Sequence, residues 1–175
     1  MSKPPRRITA ARLDNIALHY LERFAASAES LRRVLRRRVE RAAHALDEEP
    51  EEGLAQVEAL IARYQAAGLL DDRQFAAAKT RSLHRRGAST RLIRQSLGQK
   101  GIDGDTIDGA LAELVEEVDG DTDIAAARAY ARRRRLGPWR LSEVRAEHRD
   151  KDLAALGRAG FSWAVARAVV DGEGE

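Results

Sequence analysis

Cysteine is absent from the 175-residue chain, proline occurs four times and aromatic residues make up only 5%. The missing thiols exclude a disulfide scaffold and thiolate metal sites, and they suit a reducing compartment. No apolar run approaches the roughly 18 residues that cross a bilayer, so no membrane contact is expected. Alternating runs of Val, Ile and Thr are also missing, and hairpin-type turn pairs are few, which leaves a β-sheet without support. The N-terminus is basic, but no apolar stretch follows it, so no secretory leader is read there. The expectation is a cytoplasmic protein made almost wholly of helix, with a thin core of Leu, Val, Ile and Ala.

Helix signals are densest from Asp71 to Val118. Asp71 and Gln74 have capping-box spacing, and the helix they open is expected to run to Arg85-Arg86-Gly87. Ser89 can cap a second helix with Leu92, Ile93 and Leu97 on one side, stopped by Lys100-Gly101. Asp103 or Asp105 opens a third, whose Ile107, Ala110, Leu111, Leu114, Val115 and Val118 fall at 3.6-residue spacing. None of these short helices can bury its apolar stripe alone, which predicts a packed triplet.

The rest of the chain reads as two more triplets. Upstream, a helix over about 11–25 aligns Leu13, Ile16, Ala17, Tyr20, Leu21 and Phe24. After a break near Ser27, a second carries Leu31, Val34, Leu35, Ala42 and Leu46, with Arg38 inside the stripe and obliged to snorkel or pair. Asp47–Glu52 is an acidic turn, and a third helix with Leu54, Val57, Leu60, Ile61 and Tyr64 stops near Gly68. Leu31 and Leu35 match Ile93 and Leu97 at an offset of 62, as Ser27 matches Ser89. The match fails where Val39 stands against Gly101, so the second helix is expected to continue for two more turns. Downstream, Ile124–Leu136 is a helix broken by Gly137-Pro138. A middle helix holds Leu141, Val144, Leu153 and Leu156, with an interruption expected near His148. Arg158-Ala159-Gly160-Phe161 matches Gln99-Lys100-Gly101-Ile102 at an offset of 59. Ser162 can cap a last helix, with Trp163 anchoring the core.

The predicted fold is all-α: an elongated array of three tandem three-helix repeats, about nine helices, spanning 11–68, 69–118 and 119–171. A disordered basic tail at 1–10 and a polar tail at 172–175 flank it. Triplets stacked end to end touch mainly their neighbours, which predicts a long, thin molecule.

The formal net charge of +3 hides a strong alternation. Residues 1–46, 73–101 and 128–149 carry +7, +8 and +6, whereas 47–72, 102–127 and 150–175 carry −7, −9 and −2. Acids at helix N-termini and bases at C-termini explain part of this, but not eight bases and no acid over 29 residues. Three basic clusters stand out: Arg32, Arg33, Arg36 and Arg37; Arg81, Arg85, Arg86, Arg91, Arg94 and Lys100; and Arg132, Arg133, Arg134 and Arg135. A solvated helix face accounts for any one cluster. Repetition in three units favours multipoint contact with a polyanion or an acidic protein lattice. Trp139 and Trp163 could add base stacking, although Trp163 is expected first to anchor the core of the last triplet.

No catalytic constellation, cofactor motif or metal site emerges. His19, His44, His84 and His148 lack partners at ligand spacing and read as surface or boundary residues. Asp119, Asp121 and Asp123 begin like a calcium loop, but the required Gly and Glu positions are Ile124 and Tyr130. Gly101, Gly104 and Gly109 follow no strand and precede no Lys-Ser/Thr pair, so they form no phosphate loop. A non-enzymatic binding protein is expected. A helix-turn-helix DNA-binding protein is the alternative, presenting Arg32, Arg33, Arg36 and Arg37 to a major groove.

Several motifs resemble the RecX family, regulatory proteins that modulate the RecA recombinase. Gly68-Leu69-Leu70-Asp71-Asp72 with Phe75-Ala76, Arg85-Arg86-Gly87, Ile93-Arg94-Gln95, Leu97 and Lys100-Gly101-Ile102 look like its second repeat. Leu18-x-Tyr20-Leu21 with Ser27, Leu31, Arg32 and Leu35 is similar to the first. Asp152-Leu153, Leu156 and Arg158-x-Gly160-Phe161-Ser162 are similar to the third. The likeness covers roughly 14–171; Ser30, Val39 and the acidic segment Asp47–Glu52 depart from it. The resemblance implies a curved monomer of three-helix repeats lying along the RecA–DNA filament. It further implies reduced RecA ATPase, strand exchange and co-protease activity, with direct, sequence-nonspecific binding to single- and double-stranded DNA.

Overall fold

Helix starts in this chain are set by short side chains that reach back to free backbone N–H groups. Ser27, Asp71, Ser89, Asp103, Asp121 and Ser162 each accept a hydrogen bond from the N–H three residues on. The computed structural model describes residues 8–173. Within them the helices are α1 (Ala10–Arg23), α2 (Ala28–Leu46), α3 (Glu51–Ala66), α4 (Asp72–Arg85) and α5 (Thr90–Gln99). They continue as α6 (Gly104–Glu117), α7 (Thr122–Arg134), α8 (Arg145–Arg158) and α9 (Trp163–Val170). Two short 3₁₀ turns, Gly137–Trp139 and Ser142–Val144, separate α7 from α8, and no strand occurs among the described residues. The expected all-α array of about nine helices in threes is what forms. Residues 1–7 and 174–175, most of the two expected tails, lie outside the described residues.

The chain divides into two compact units, one running to Phe75 and including Lys100–Ile102, the other made of Ala76–Gln99 and the chain from Asp103. In the first, Leu13 and Ala17 of α1, Leu31, Leu35 and Val39 of α2, and Val57, Leu60, Ile61 and Tyr64 of α3 close one core. The α2 stripe runs Leu31, Leu35, Val39, Ala43, so it passes beside Arg38, which is exposed rather than drawn inward. Gly53 makes room for Val39: a Cβ there would lie 2.6 Å from Val39 Cγ1. That space lets α2 continue straight past the point where α5 ends. Phe24, expected in the core, is half exposed because α1 stops at Arg23. Its ring instead rests 5.2 Å from that of Tyr20.

In the second unit, Ala126, Ala127 and Ala131 of α7 let α9 approach closely, α8 packs against α9 in turn, and Leu153, Leu156, Phe161, Val165, Ala166, Val169 and Val170 fill the space. Several expectations fail here. Leu141 lies between the 3₁₀ turns and is 75% exposed, because the periodicity linking it to Leu153 is broken from Gly137 onward. No interruption occurs at His148, which is inside α8. Trp163 falls off the Val165–Val169 stripe and is 64% exposed, whereas Trp139 packs against the core. Leu92 and Val115 are also exposed. His84 is not a boundary residue; it is buried, with Nε2 2.8 Å from the Thr122 carbonyl oxygen.

One contact occurs twice. Within the first unit, the buried Ser27 hydroxyl donates to the Lys100 carbonyl at 2.6 Å, and the Ala28 N–H donates to Asp72 Oδ1 at 2.8 Å. Within the second, the buried Ser89 hydroxyl donates to the Ala159 carbonyl at 3.1 Å, and the Thr90 N–H donates to Asp123 Oδ1 at 2.8 Å. The receiving turns need glycine, at Gly101 (φ +75) and Gly160 (φ +88). A Cβ at either would lie 2.4 Å from Glu29 Cβ or 2.7 Å from Ser89 Oγ. The two sequence offsets, 62 and 59, are therefore the two halves of a single contact. Each serine caps its own helix with its lone pairs and fastens a turn some 70 residues away with its proton.

Ser89→Ala removes both functions and should cost about 1–2 kcal/mol, read as a lowered urea midpoint at unchanged slope. An unaltered midpoint would show that this clasp carries no stability.

Candidate functional site

The basic clusters sort into paired and unpaired arginines. Arg81 on α4 forks onto Glu117 of α6, with Nε at 2.8 and 2.9 Å from its two oxygens, and reaches Glu113 at 3.5 Å. Glu117 hydrogen-bonds the guanidinium, so the Arg81 pKa is raised and that of Glu117 is lowered. Arg94 on α5 pairs with Asp108 of α6. In α2, Arg32 lies between Glu29 at 2.7 Å and Glu58 at 3.0 Å, while Arg33 shares Glu29 at 2.8 Å. The Arg32 hydrogen bond, with Arg33 behind it, holds Glu29 below the usual carboxylate range in spite of its burial. Arg36 approaches Glu40 at 4.0 Å. The sequence alternation of basic and acidic blocks thus has an internal component: basic second helices lean on acidic neighbours.

Other candidates are exposed and have no ion pair among the described residues. Arg85 and Arg86 close α4, Arg91 opens α5, and Arg37 lies on the outer side of α2. Lys100 is exposed while its carbonyl serves the Ser27 clasp. Arg133 and Arg134 stand over the Tyr130 ring at 6.0 and 5.2 Å. Arg132 faces a concavity shared with Trp139, and Arg135 ends α7 in the left-handed region at φ 55. Arg85, Arg86 and Arg91 flank one turn, Gly87–Ser89, so the structure gathers them. That turn lies against α7: a Cβ at Gly87 would come within 2.6 Å of the Tyr130 nitrogen.

In the sequence Asp152 stands out only as part of the run Asp152-Leu153; its role is visible in the structure alone. This carboxylate is 1% exposed and accepts from the Gly137 N–H at 2.8 Å and from Arg140 Nε and Nη2 at 3.0 and 2.7 Å. Burial pushes its pKa up, but the Arg140 and Gly137 hydrogen bonds prevail and hold it below the ordinary value. Arg145 closes the same turn from outside, donating to the carbonyls of Pro138 and Arg140. The 3₁₀ turn that carries Trp139 is thereby fixed on three sides. No sequence periodicity marks Asp152, which is one of three acids in α8 with Glu147 and Asp150; only the fold shows that it alone is buried.

Among the described residues no three His, Asp or Glu side chains gather as a metal site, and no helix is long and apolar enough to cross a membrane. The chain is 45% identical over 170 residues to a regulatory protein RecX of Myxococcus xanthus (strain DK1622), covering 97% of this chain and 89% of that one. The chain belongs to the RecX family. The family's second three-helix domain matches residues 71–111, the stretch from the N-cap of α4 into α6. A RecX regulatory protein of Agrobacterium fabrum is 36% identical over 122 residues, covering 67% of this chain and 62% of that one. A crystal structure of regulatory protein RecX superposes with a TM-score of 0.61 at 26% identity, covering 93% of this chain and 72% of that one. The RecX signature thus coincides with the triplet that holds the paired Arg81 and Arg94 and the unpaired Arg85, Arg86 and Arg91.

Since the folded-state pKa of Asp152 lies below its unfolded value near about 3.9, its contribution to stability is complete above that value. It is lost as the pH falls through the folded value. Asp152→Asn should cost about 3 kcal/mol at neutral pH, by leaving Arg140 without its counter-charge. It should also shrink the loss of stability on acidification below about pH 4. Chemical denaturation across pH checks both; an acid limb identical to wild type would assign that loss to other carboxylates.

Proposed function

We propose that this RecX-family protein is a non-enzymatic regulator that binds the RecA filament on DNA and restrains RecA ATPase, strand exchange and co-protease activity. The triplets 11–68, 69–118 and 119–171 are the repeating units of contact. The observation that carries the reading is the set of exposed, unpaired guanidinium groups at the Gly87–Ser89 turn, inside the family's matching domain. Arg85, Arg86 and Arg91 keep their forked donors free for carboxylates of a protein lattice or for phosphates. Arg81 and Arg94 spend theirs on α6, so their first effect is on how the triplet holds together. Arg32 and Arg33 are likewise engaged by Glu29, which weakens the major-groove alternative. Contact with DNA is accessory and sequence-nonspecific, with affinity falling steeply in salt. The protein acts as a monomer in the cytoplasm and needs no cofactor.

The test is RecA ATPase on single-stranded DNA with increasing protein. Wild type should lower the rate. Arg85→Glu, Arg86→Glu and Arg91→Glu combined should raise the concentration needed by about ten-fold or more, equivalent to at least about 1.4 kcal/mol, while the helical circular dichroism signal stays the same. Arg81→Gln should inhibit nearly as wild type does. Full inhibition by the triple variant would remove this turn from the contact.

A further inference from the structure

Trp139 lines two open concavities in the second unit. One, about 440 Å³, is floored by Ala125 and Ala129 of α7 and edged by Arg128 and Arg132. The other, about 490 Å³, is bounded by Arg135, Arg140, Leu141 and Val144. Both fall in the size range of small-molecule clefts, about 300–1,000 Å³. Among the described residues no acidic side chain lines either. The alanines leave the α7 surface low beside the indole, the indole packs against the core, and the turn that carries it is fixed at Gly137 by Asp152 and at Pro138 by Arg145. Leu141, 75% exposed, adds an apolar edge that nothing in the fold covers.

We infer that Trp139 and its flanking arginines form a site for single-stranded nucleic acid, with a base stacked on the indole and phosphates met by Arg132 and Arg135. A fixed aromatic plane between cationic edges suits a flat, apolar, negatively linked ligand. Stacking tolerates any base, and it needs a base whose face is free. A duplex conceals base faces, so the site selects single strands. A carboxylate-rich peptide would satisfy the arginines but leave the indole and Leu141 without a flat partner. The inference deepens the accessory DNA contact proposed above; it is tested without RecA, so its failure is distinct from failure of the filament contact.

The chain has two tryptophans, so Trp163→Phe leaves Trp139 as the sole indole reporter. Titration of this variant with oligothymidylate should quench Trp139 fluorescence to saturation. An abasic oligonucleotide of the same length and a duplex should quench it little, and polyglutamate not at all. Trp139→Leu should weaken single-strand binding, read by anisotropy, by about 5- to 150-fold, with duplex binding unchanged. Should that variant melt early, Arg132→Ala with Arg135→Ala tests the same site from the surface. Its salt slope for single strands should fall by about 1.4, the share of two phosphate contacts. Binding without any change in Trp139 fluorescence, equal quenching by the abasic strand or polyglutamate, or an unchanged salt slope would overturn the inference.

Discussion

A buried serine hydroxyl that caps one helix and grips a distant carbonyl is the contact on which the second helix of each early triplet depends. Ser27 and Ser89 are both fully buried. A hydroxyl in that position has one proton and two lone pairs to place, and each is placed by a different part of the chain. The lone pairs close the helix start; the proton closes on a turn from the next triplet along the sequence. An aspartate, Asp72 or Asp123, then takes the following N–H. The receiving turns must be glycine because the serine-side helix approaches to within contact of the backbone. Four sequence features, Ser, Asp, Gly and the helix break, are therefore one physical requirement.

Electrostatics is divided between holding the triplets together and leaving charge outside. The acidic α6 takes up Arg81 and Arg94, and Glu58 on α3 takes up Arg32. These pairs are partly solvated, so each guides packing more than it stabilises it. The arginines at triplet turns have no such neighbours, and Asp152 is the exception in which a carboxylate is sunk in the core and answered in full by Arg140 and a backbone N–H. Charge at the turns is thus available to other molecules, as are Arg37 on α2 and Arg132, Arg133 and Arg134 on α7, whereas Arg32, Arg33, Arg81 and Arg94 are engaged within the fold.

The helices and most of their serine and aspartate starts were legible in the sequence, because short polar caps and 3.6-residue spacing are local signals. The middle triplet, with Ile93, Leu97, Ile107 and Leu114 buried as the spacing implies, was the clearest. Legibility ended where packing overrides pattern. Arg38 and Val39 are adjacent, and which of them turns inward depends on Gly53, 14 residues away. Leu141 and Trp163 look like core residues by composition, yet the 3₁₀ turns and the α9 phase leave both outside. In the candidate sites, the basic residues were visible but their partners were not: which arginine is free follows only from where α6 and Glu29 lie.

The span of the clasp has a bearing on how the chain is made. Ser27 waits for residue 100 and Ser89 for residue 159. As the polypeptide leaves the ribosome, α2 emerges long before the turn that receives it, and α5 repeats the delay. The core of α1, α2 and α3 is complete in sequence before residue 100, but each clasp closes only once a further portion of chain has been synthesised. Assembly therefore advances like a zip from the N-terminal end, each tooth closed by the one that follows.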